Sequence, residues 1–243
     1  MTFTRLLLCA TIPLLCAMGP LRAQEYWEQK FGGLGGDRVH DVKTDQADNV
    51  YVVGEFTAGM EVDGHPMNAV GAADGFVAKL DPFGELIWTK TLGGAGIDRC
   101  WKLAMGVDGT IAITGQYVGP ANLLGTNVPA TNGRWHAFVA KLDAATGNAQ
   151  WVRTGGCTDG ATRPNGVTIA PNGSITMAGE FSGSAVFDAG TITSMYDPIL
   201  QGPGADAFVA SYSADGTALW LQQGSAKYTD KAVDVVSDAE SNL

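Results

Sequence analysis

The segment NVYVVGEF at residues 49–56 returns as TIAITGQY at residues 110–117 and as SITMAGEF at residues 174–181. The copies are short and rich in Val, Ile, Tyr and Phe, and Gly, Asp or Asn residues lie close to their ends, which is typical of β-strands. In the first copy both odd and even positions are apolar, as expected for a strand deep in a sheet. Similarity at a regular spacing indicates a repeat protein. The chain is therefore predicted to be an array of similar β units.

A second segment repeats in step with the first. DGFVAKLD at residues 74–81 returns as HAFVAKLD at 136–143 and as DAFVASYS at 206–213. Each copy leads through a short turn into a tryptophan, and one more tryptophan opens the series: Trp27, Trp88, Trp151 and Trp220. These tryptophans divide the chain into units at 27–87, 88–150 and 151–219, with an incomplete unit at 220–243.

Each unit is predicted to contain four strands, which in the first unit are residues 39–45, 49–56, 73–81 and 86–92. A four-stranded unit cannot bury both of its faces alone, whereas units stacked around an axis bury both. The predicted fold is all-β, a β-propeller-type repeat array of four-stranded antiparallel blades. Since a propeller typically has roughly four to eight blades, about three and a half blades would be incomplete. We therefore expect a fragment of a longer reading frame or a truncated product.

The first 23 residues are predicted to be a secretory signal peptide. Arg5 supplies the positive charge, residues 6–18 are mostly apolar, and Ala23 is a small residue before the expected cleavage site. This apolar run is too short for a comfortable membrane span, and no later segment is apolar enough for one. The mature chain, residues 24–243, is expected to be secreted or held at the cell surface without a transmembrane segment.

The charge balance argues against a nucleic-acid partner. The chain has 15 Lys and Arg residues against 25 Asp and Glu residues, a formal net charge of −10. Binding to nucleic acid depends on the neutralisation of phosphates by Lys and Arg. No nucleic-acid partner is therefore predicted.

The motifs within each unit keep one order, in which the Trp is followed by FGG at 31–33 or LGG at 92–94. Then comes DNVYVVG at 48–54, and DGFVAKLD at 74–81 closes the unit. In this order the units resemble the SBBP repeat, the bacterial "beak" β-propeller repeat of secreted and surface proteins. The third unit departs from the pattern with TGGC at 154–157 and with Ser211 in place of Lys. The resemblance implies a propeller exported by a bacterium.

A second likeness supports an alternative, an exported propeller enzyme. LDAATGNAQW at 142–151 is similar to the docking turn of quinoprotein propellers, although the adjacent cysteine pair of many such dehydrogenases is missing. SADGTALW at 213–220 resembles the Asp-box of sialidase propellers with a different spacing. The sequence lacks G-x-S-x-G and P-loop motifs and any G-x-G-x-x-G leading into a helix. We predict a non-catalytic binding scaffold without a cofactor, with a quinone-dependent or glycan-active enzyme as the alternative.

Metal sites are not predicted. The histidines lie far apart without the spacing of a zinc site. Asp41, Asp45 and Asp48 form an oxygen-rich segment that would suit calcium, but the EF-hand spacing is absent. Cys100 and Cys157 could pair in an exported protein, and their spacing in the sequence leaves this question open.

Comparison between units helps to separate structural from functional candidates. A residue type found at the same place in every unit is more often structural. Equivalent positions before the first strand of each unit are occupied by Asp37-Arg38, Asp98-Arg99, Arg163 and Asp230-Lys231. These residues either brace the glycine-rich loop between units or form a basic ring around the entrance of a central channel, where they would attract an anion.

Residues that occur in a single unit are freer to be functional. Trp135-His136 replaces the pattern expected before AFVAKLD, and Trp101 also occurs only in the second unit. Tyr196 and Asp197 lie near the middle of the longest connection between second and third strands. The predicted binding residues are Arg38, Arg99, Arg163, Trp135, His136, Tyr196 and Asp197.

The connections between the second and third strands are the most variable part of each unit. They span residues 57–72, 118–134 and 182–205, and they differ in sequence and length while the flanking strands repeat. Variable loops on a rigid scaffold are where binding sites commonly lie. The sequence therefore predicts a binding face on these loops, and the expected partner is an unknown protein or glycan at the cell surface.

Overall fold

The computed structural model describes residues 27–197, 199 and 201–243. The predicted signal peptide at residues 1–23 lies outside the described residues. In the described part the regular elements are β-strands, and the strands pair antiparallel. No helix that could cross a membrane occurs within these residues. The prediction of an all-β, antiparallel fold is confirmed.

In chain order the strands are β1 (Phe31–Gly33), β2 (Arg38–Thr44), β3 (Val50–Phe56), β4 (Gly59–Val62), β5 (His65–Asn68), β6 (Asp74–Leu80), β7 (Leu86–Gly94), β8 (Arg99–Met105), β9 (Thr110–Tyr117), β10 (Ala121–Leu123), β11 (Thr126–Val128), β12 (His136–Asp143), β13 (Ala149–Cys157), β14 (Thr162–Ile169), β15 (Ile175–Ser182), β16 (Ser184–Phe187), β17 (Gly190–Thr193), β18 (Tyr196–Asp197), β19 (Gly202–Pro203), β20 (Ala205–Tyr212) and β21 (Ala218–Gly224).

Each complete unit contains the four strands that the repeats predict. Because the fourth strand carries the tryptophan that marks each sequence boundary, the units are counted from here on by their sheets, with the tryptophan in the preceding unit: β2-β3-β6-β7, then β8-β9-β12-β13, then β14-β15-β20-β21. The second strand of the first unit was predicted at 49–56 and is found at Val50–Phe56. The two middle strands of the first and second units are almost wholly buried, because apolar side chains alternate onto both faces of the sheet.

The variable connections form hairpins that join one unit to the next, which the sequence did not predict. The hairpin β10-β11 in the connection 118–134 pairs with the end of β7, where Ala121 lies opposite Gly94. The hairpin β16-β17 pairs with the end of β13 in the same way, and β4-β5 pairs with β1. Two of the sheets therefore contain six strands rather than four, because β10-β11 and β16-β17 each extend the sheet of the preceding unit, whereas β4-β5 forms a three-stranded sheet with β1.

The tryptophan that ends each repeat motif docks on a turn of the following unit. The indole Nε1 of Trp88 donates to the carbonyl oxygen of Ala144 at 3.3 Å, and that of Trp151 donates to the carbonyl oxygen of Ala214 at 3.0 Å. The turn glycine packs closely on the ring, because a Cβ on Gly147 would lie 2.8 Å from Trp88. This contact explains why the short Gly-containing turn and the Trp recur together in the sequence.

Apolar clusters fill the space between successive units. One cluster joins Tyr51 and Val77 of the first unit to Leu103 of the second, and another joins Val139 of the second unit to Phe208 of the third. All five side chains are at most 2 % exposed. Burial of an aromatic or branched aliphatic side chain contributes about 2 kcal/mol, so neighbouring units stabilise one another.

The first strand of every unit carries a β-bulge near its start. The pairing skips His40 in β2, Trp101 in β8 and Asn165 in β14. A bulge adds one residue that is unpaired in the ladder and changes the direction of its side chain. Three different side chains therefore leave the sheets at equivalent places.

A glycine in the second strand accommodates each bulge. A Cβ on Gly115 would lie 1.8 Å from the carbonyl oxygen of Arg99, and a Cβ on Gly54 would lie 2.0 Å from that of Arg38. A residue with a Cβ atom does not fit so close to the carbonyl oxygen of the bulged strand. This close approach explains the glycine of the repeated segments VVGEF, AITGQY and TMAGEF.

The first strands lie around a common cavity of about 250 Å³. Lys43 of β2, Lys102 of β8 and Thr168 of β14 line it, together with Asp234 of the incomplete fourth unit. Residues 225–243 contain no strand. They lie beside the third unit, where the N–H of Asp230 donates to the carbonyl oxygen of Ala205 at the start of β20. The first strands of the three complete units and the segment around Asp234 therefore lie near one another.

Candidate functional site

The side chains around the bulges form one cluster at the beginning of the first strands. It is built by β8, which contacts both β2 and β14. The bulge places one side chain at the same position of each complete unit, and the identity of that side chain differs from unit to unit. We name the following residues the Arg–Trp cluster: Arg38, Arg99, Trp101, Trp135 and Arg163.

Glu55 joins two of the arginines across a unit boundary. Its Oε1 lies 3.2 Å from Nη1 of Arg38 in the same unit, and its Oε2 accepts from Nε of Arg99 in the next unit. The Glu55 side chain is only 6 % exposed, so the ion pairs are shielded from solvent on the carboxylate side. One buried carboxylate therefore forms ion pairs with two guanidinium groups.

His40 fills the space between Glu55 and Trp101. Its ring centroid lies 4.3 Å from that of Trp101, and its Nε2 lies 3.7 Å from Oε1 of Glu55, which is too long for a hydrogen bond. Burial lowers the pKa of His40, and Arg99 and Arg38 lower it further against the opposite effect of Glu55. The imidazole is therefore neutral at pH 7 and packs as an aromatic ring.

Trp101 is held in place from its polar edge. Its Nε1 donates to Oε1 of Gln116 at 3.0 Å, and Nε2 of Gln116 donates to the carbonyl oxygen of Thr162 at 2.8 Å. Gln116 occupies in the second unit the position that Glu55 occupies in the first. Because Gln116 is 6 % exposed, this chain of hydrogen bonds is protected from water and keeps the indole ring in one orientation.

Arginine and tryptophan side chains alternate along the cluster. The guanidinium carbon of Arg163 lies 5.0 Å from the ring centroid of Trp101, and that of Arg99 lies 5.6 Å from the same centroid. Arg99 also lies 5.0 Å from the centroid of Trp135. Cation–π contacts of this kind hold both guanidinium groups against flat surfaces. The resulting order is Arg163, Trp101, Arg99, Trp135.

Trp135 connects this row to a cleft of about 330 Å³ between the second and third units. The cleft lies where the connection 118–134 ends beside the segment 159–161. Its lining includes Arg134, Trp135, Asp159, Gly160, Ser182 and Pro203.

The remaining predicted site residues lie at or beyond the edge of the cluster. His136 follows Trp135, but its ring packs on Tyr117 and its Nε2 lies 3.2 Å from the carbonyl oxygen of Cys157; burial lowers its pKa. Tyr196 is exposed and pairs in the backbone with Pro203, which lines the cleft.

Asp197 is buried, and its Oδ1 accepts from the N–H of Ile199 at 2.7 Å. The structure thus brings Arg38, Arg99, Arg163 and Trp135 together. His136 has contacts of a core residue, and Asp197 has those of a turn residue.

The sequence comparison missed His40, Glu55 and Gln116, and it left Trp101 out of the site. Their common signal is positional. His40 and Trp101 each lie two residues after the repeated arginine, and Glu55 and Gln116 each directly follow the repeated glycine. Recognising His40 and Trp101 as site residues requires knowledge of the bulge. The bulge turns the residue two positions after the repeated arginine towards the neighbouring unit.

The aspartates beside the arginines have a bracing role. Oδ2 of Asp98 accepts from the N–H of Gly94 at 2.8 Å, and its Oδ1 accepts from the N–H of Val118 at 3.2 Å. Asp37 makes the equivalent pair of contacts in the first unit. Each aspartate therefore ties the end of one outer strand to the base of the next hairpin, while the adjacent arginine extends into the cluster.

The three aspartates considered for calcium lie in different elements: Asp41 belongs to strand β2, and Asp45 and Asp48 belong to the turn that follows it. Asp45 accepts from the backbone N–H groups of Ala47 and Asn49, at 2.9 and 3.0 Å, and from the hydroxyl of Tyr51. Among the described residues, no group of three His, Cys, Asp or Glu side chains could hold a metal ion. Cys100 and Cys157 are buried and not joined by a disulfide.

No protein-family model matches the chain, and a search of curated proteins found no match either.

Proposed function

We propose that this chain is part of an exported β-propeller, related to the SBBP-repeat proteins of bacterial surfaces, and that it serves as a non-catalytic binding scaffold. The Arg–Trp cluster and the adjacent cleft form its binding surface. The partner is a glycan or protein at the cell surface.

One observation carries the functional part of the proposal. The bulge, its glycine and the Trp docking contact repeat from unit to unit, whereas the bulged side chain changes from His40 to Trp101 to Asn165. A repeated backbone that supports side chains differing from unit to unit is expected where the backbone is structural and the surface built on it, here the row of Trp101, Arg99 and Trp135, is specific to the protein's ligand. Arg and Trp are also the residues most enriched among those that dominate binding energy.

The propeller arrangement is supported by the cavity between the first strands. Lys43, Lys102 and Thr168 belong to three different units and line the same space, as expected when first strands surround an axis. Electron microscopy of the purified protein is expected to show sheets arranged radially. Sheets stacked along a line, without a common axis, would contradict this part of the proposal.

Binding is tested with the full chain against arrays of glycans and peptides and against purified envelope polymers. We expect one ligand class to bind and Trp135→Ala to weaken that binding without a change in melting temperature. Val107→Ala is the control, because Val107 is exposed in the turn at the other end of β8. The scaffold proposal would be refuted if the folded protein bound none of these classes. It would also be refuted if Val107→Ala weakened binding and Trp135→Ala did not.

Export is tested separately, by expressing the chain in a bacterial host and sequencing the N-terminus of the released protein. The expected first residue is Gln24. A protein that stays in the cytoplasm with residues 1–23 intact would refute export.

A further inference from the structure

We propose that Asn132 and Gly133 form a site of spontaneous covalent modification, at which the side-chain amide of Asn132 is converted to a carboxylate. The site lies in the turn between β11 and β12, directly before Arg134 and Trp135, which line the cleft between the second and third units. The reaction consumes only water and requires no ligand, and the release of ammonia makes it a one-way change.

The chemistry follows from the Asn-Gly dipeptide. The backbone nitrogen of Gly133 attacks Cγ of Asn132, so that a new C–N bond closes a five-membered imide. The side-chain nitrogen leaves as ammonia and takes with it the proton of the attacking N–H. Water then opens the imide at either carbonyl and gives aspartate or isoaspartate. Glycine is the most favourable second residue because it has no side chain to crowd the ring.

Both reacting groups are free at this turn. Gly133 is exposed, and within the described residues its N–H donates no hydrogen bond, so hydroxide can reach the proton that must be lost before attack. A Cβ on Gly133 would meet no atom within 4 Å, which leaves open space for the ring. The side chain of Asn132 is exposed too and makes no hydrogen bond in the described part of the chain. Its rotation towards the nitrogen of Gly133 therefore breaks no hydrogen bond of its own.

A second Asn-Gly pair, in the turn between β14 and β15, provides an internal comparison. The N–H of Gly173 donates to the carbonyl oxygen of Ala170 at 2.8 Å, and Oδ1 of Asn172 accepts from the N–H and the hydroxyl of Ser174 at 2.9 and 2.7 Å. A Cβ on Gly173 would lie 3.1 Å from that of Ala214. The nitrogen and the side-chain amide are both held here, so the same dipeptide should react more slowly.

The product changes the edge of the cleft. A carboxylate at residue 132 adds one negative charge beside Arg134, in a cleft whose lining already includes Asp159. Isoaspartate also moves the side-chain methylene into the backbone, which lengthens the turn that the N–H of Arg134 closes on the carbonyl oxygen of Thr131 at 3.0 Å. Modification therefore makes the cleft more acidic and alters the segment that carries Trp135.

The test is peptide mapping of the full chain by mass spectrometry during incubation at mildly alkaline pH. Aspartate and isoaspartate should accumulate at residue 132 about fivefold faster than at residue 172, or more, which is the factor by which one hydrogen bond shifts a local opening equilibrium. The matched control is Asn132→Gln, whose longer side chain cannot close the five-membered ring. Gln201 already adopts a φ of 53°, so Gln is compatible with this backbone conformation. The variant should lose the products at residue 132 and keep the parent rate at residue 172.

Incubation of the same chain in denaturant separates the effect of the fold from that of the dipeptide. Both Asn-Gly pairs are free there, and their rates should converge. A native chain in which residue 172 reacts as fast as residue 132 or faster would overturn the proposal. So would a native chain in which residue 132 stays unmodified. Neither result bears on the scaffold proposal, which depends on ligand binding.

Discussion

The guanidinium of Arg163 lies over the indole ring of Trp101, with 5.0 Å between the guanidinium carbon and the ring centroid, although the two residues belong to different repeat units. Trp101 reaches the neighbouring unit because it is the bulged residue of β8. The contact therefore depends on a backbone irregularity in one unit and on a repeated arginine in the next.

The glycine opposite the bulge should be intolerant of substitution. Gly115→Ala places a Cβ 1.8 Å from the carbonyl oxygen of Arg99, and we expect a loss of about 3 kcal/mol in the free energy of unfolding. The control is Gly224→Ala, also in a strand, where the added Cβ would meet Ala207 at an ordinary 3.6 Å. Urea denaturation measures both, and equal effects of the two substitutions would contradict the role of the bulge.

The docking tryptophans should differ in their contribution to stability. Trp151→Phe removes the N–H that donates to the carbonyl oxygen of Ala214, and we expect destabilisation by about 1–3 kcal/mol. The indole of Trp220 donates no hydrogen bond in the described part of the chain, so Trp220→Phe should cost less. Thermal unfolding of the two variants compares them, and a greater effect at Trp220 would show that the docking bond is unimportant.

Glu55→Gln should change stability and anion binding in opposite directions. The substitution removes the carboxylate shared by Arg38 and Arg99, and we expect a loss of about 2 kcal/mol in the free energy of unfolding. The same loss of negative charge leaves the Arg–Trp cluster more positive, so an anionic ligand found with the arrays should bind more tightly. Calorimetry at low and high salt measures the gain, which should shrink as salt increases. Weaker binding by a variant that remains folded would contradict the proposed site.

Stability should fall as the pH rises from about 4 to about 6 because of Asp98. Burial raises the pKa of Asp98 to about 6, and the nearby carboxylate of Asp74 also raises it. A carboxyl group with a raised folded-state pKa contributes most below its unfolded value of about 3.9 and loses that contribution as it ionises. The difference between the folded and unfolded pKa values of Asp98 corresponds to a loss of about 3 kcal/mol in the free energy of unfolding between pH 4 and pH 7.

Asp98→Asn isolates this effect from the buried histidines His40 and His136, whose lowered pKa values act in the opposite direction. The free energy of unfolding of the parent minus that of the variant should fall from pH 4 to pH 7. Denaturant titrations at several pH values give this difference, and a flat or rising curve would show that the pKa of Asp98 is not raised in the folded protein.

The main strands were predictable because their signals are local. The second strand of the first unit was expected at 49–56 and is found at Val50–Phe56, and the fourth was expected at 86–92 and is found at Leu86–Gly94. The hairpins were not predicted. Strands such as Ala121–Leu123 and Thr126–Val128 are three residues long, which is too short for a local pattern to identify them. They form because Ala121–Leu123 pairs with β7 of the preceding unit and Thr126–Val128 pairs with Ala121–Leu123.

For the site, the repeats identified Arg38, Arg99 and Arg163 as equivalent, and the difference between units identified Trp135. Both observations follow from residue identity and spacing, which the sequence contains. The row Arg163, Trp101, Arg99 and Trp135 follows from tertiary structure instead. A bulge changes the direction of one side chain without altering the apolar pattern of its strand, and packing of successive units then places residues far apart in the chain around the same indole ring.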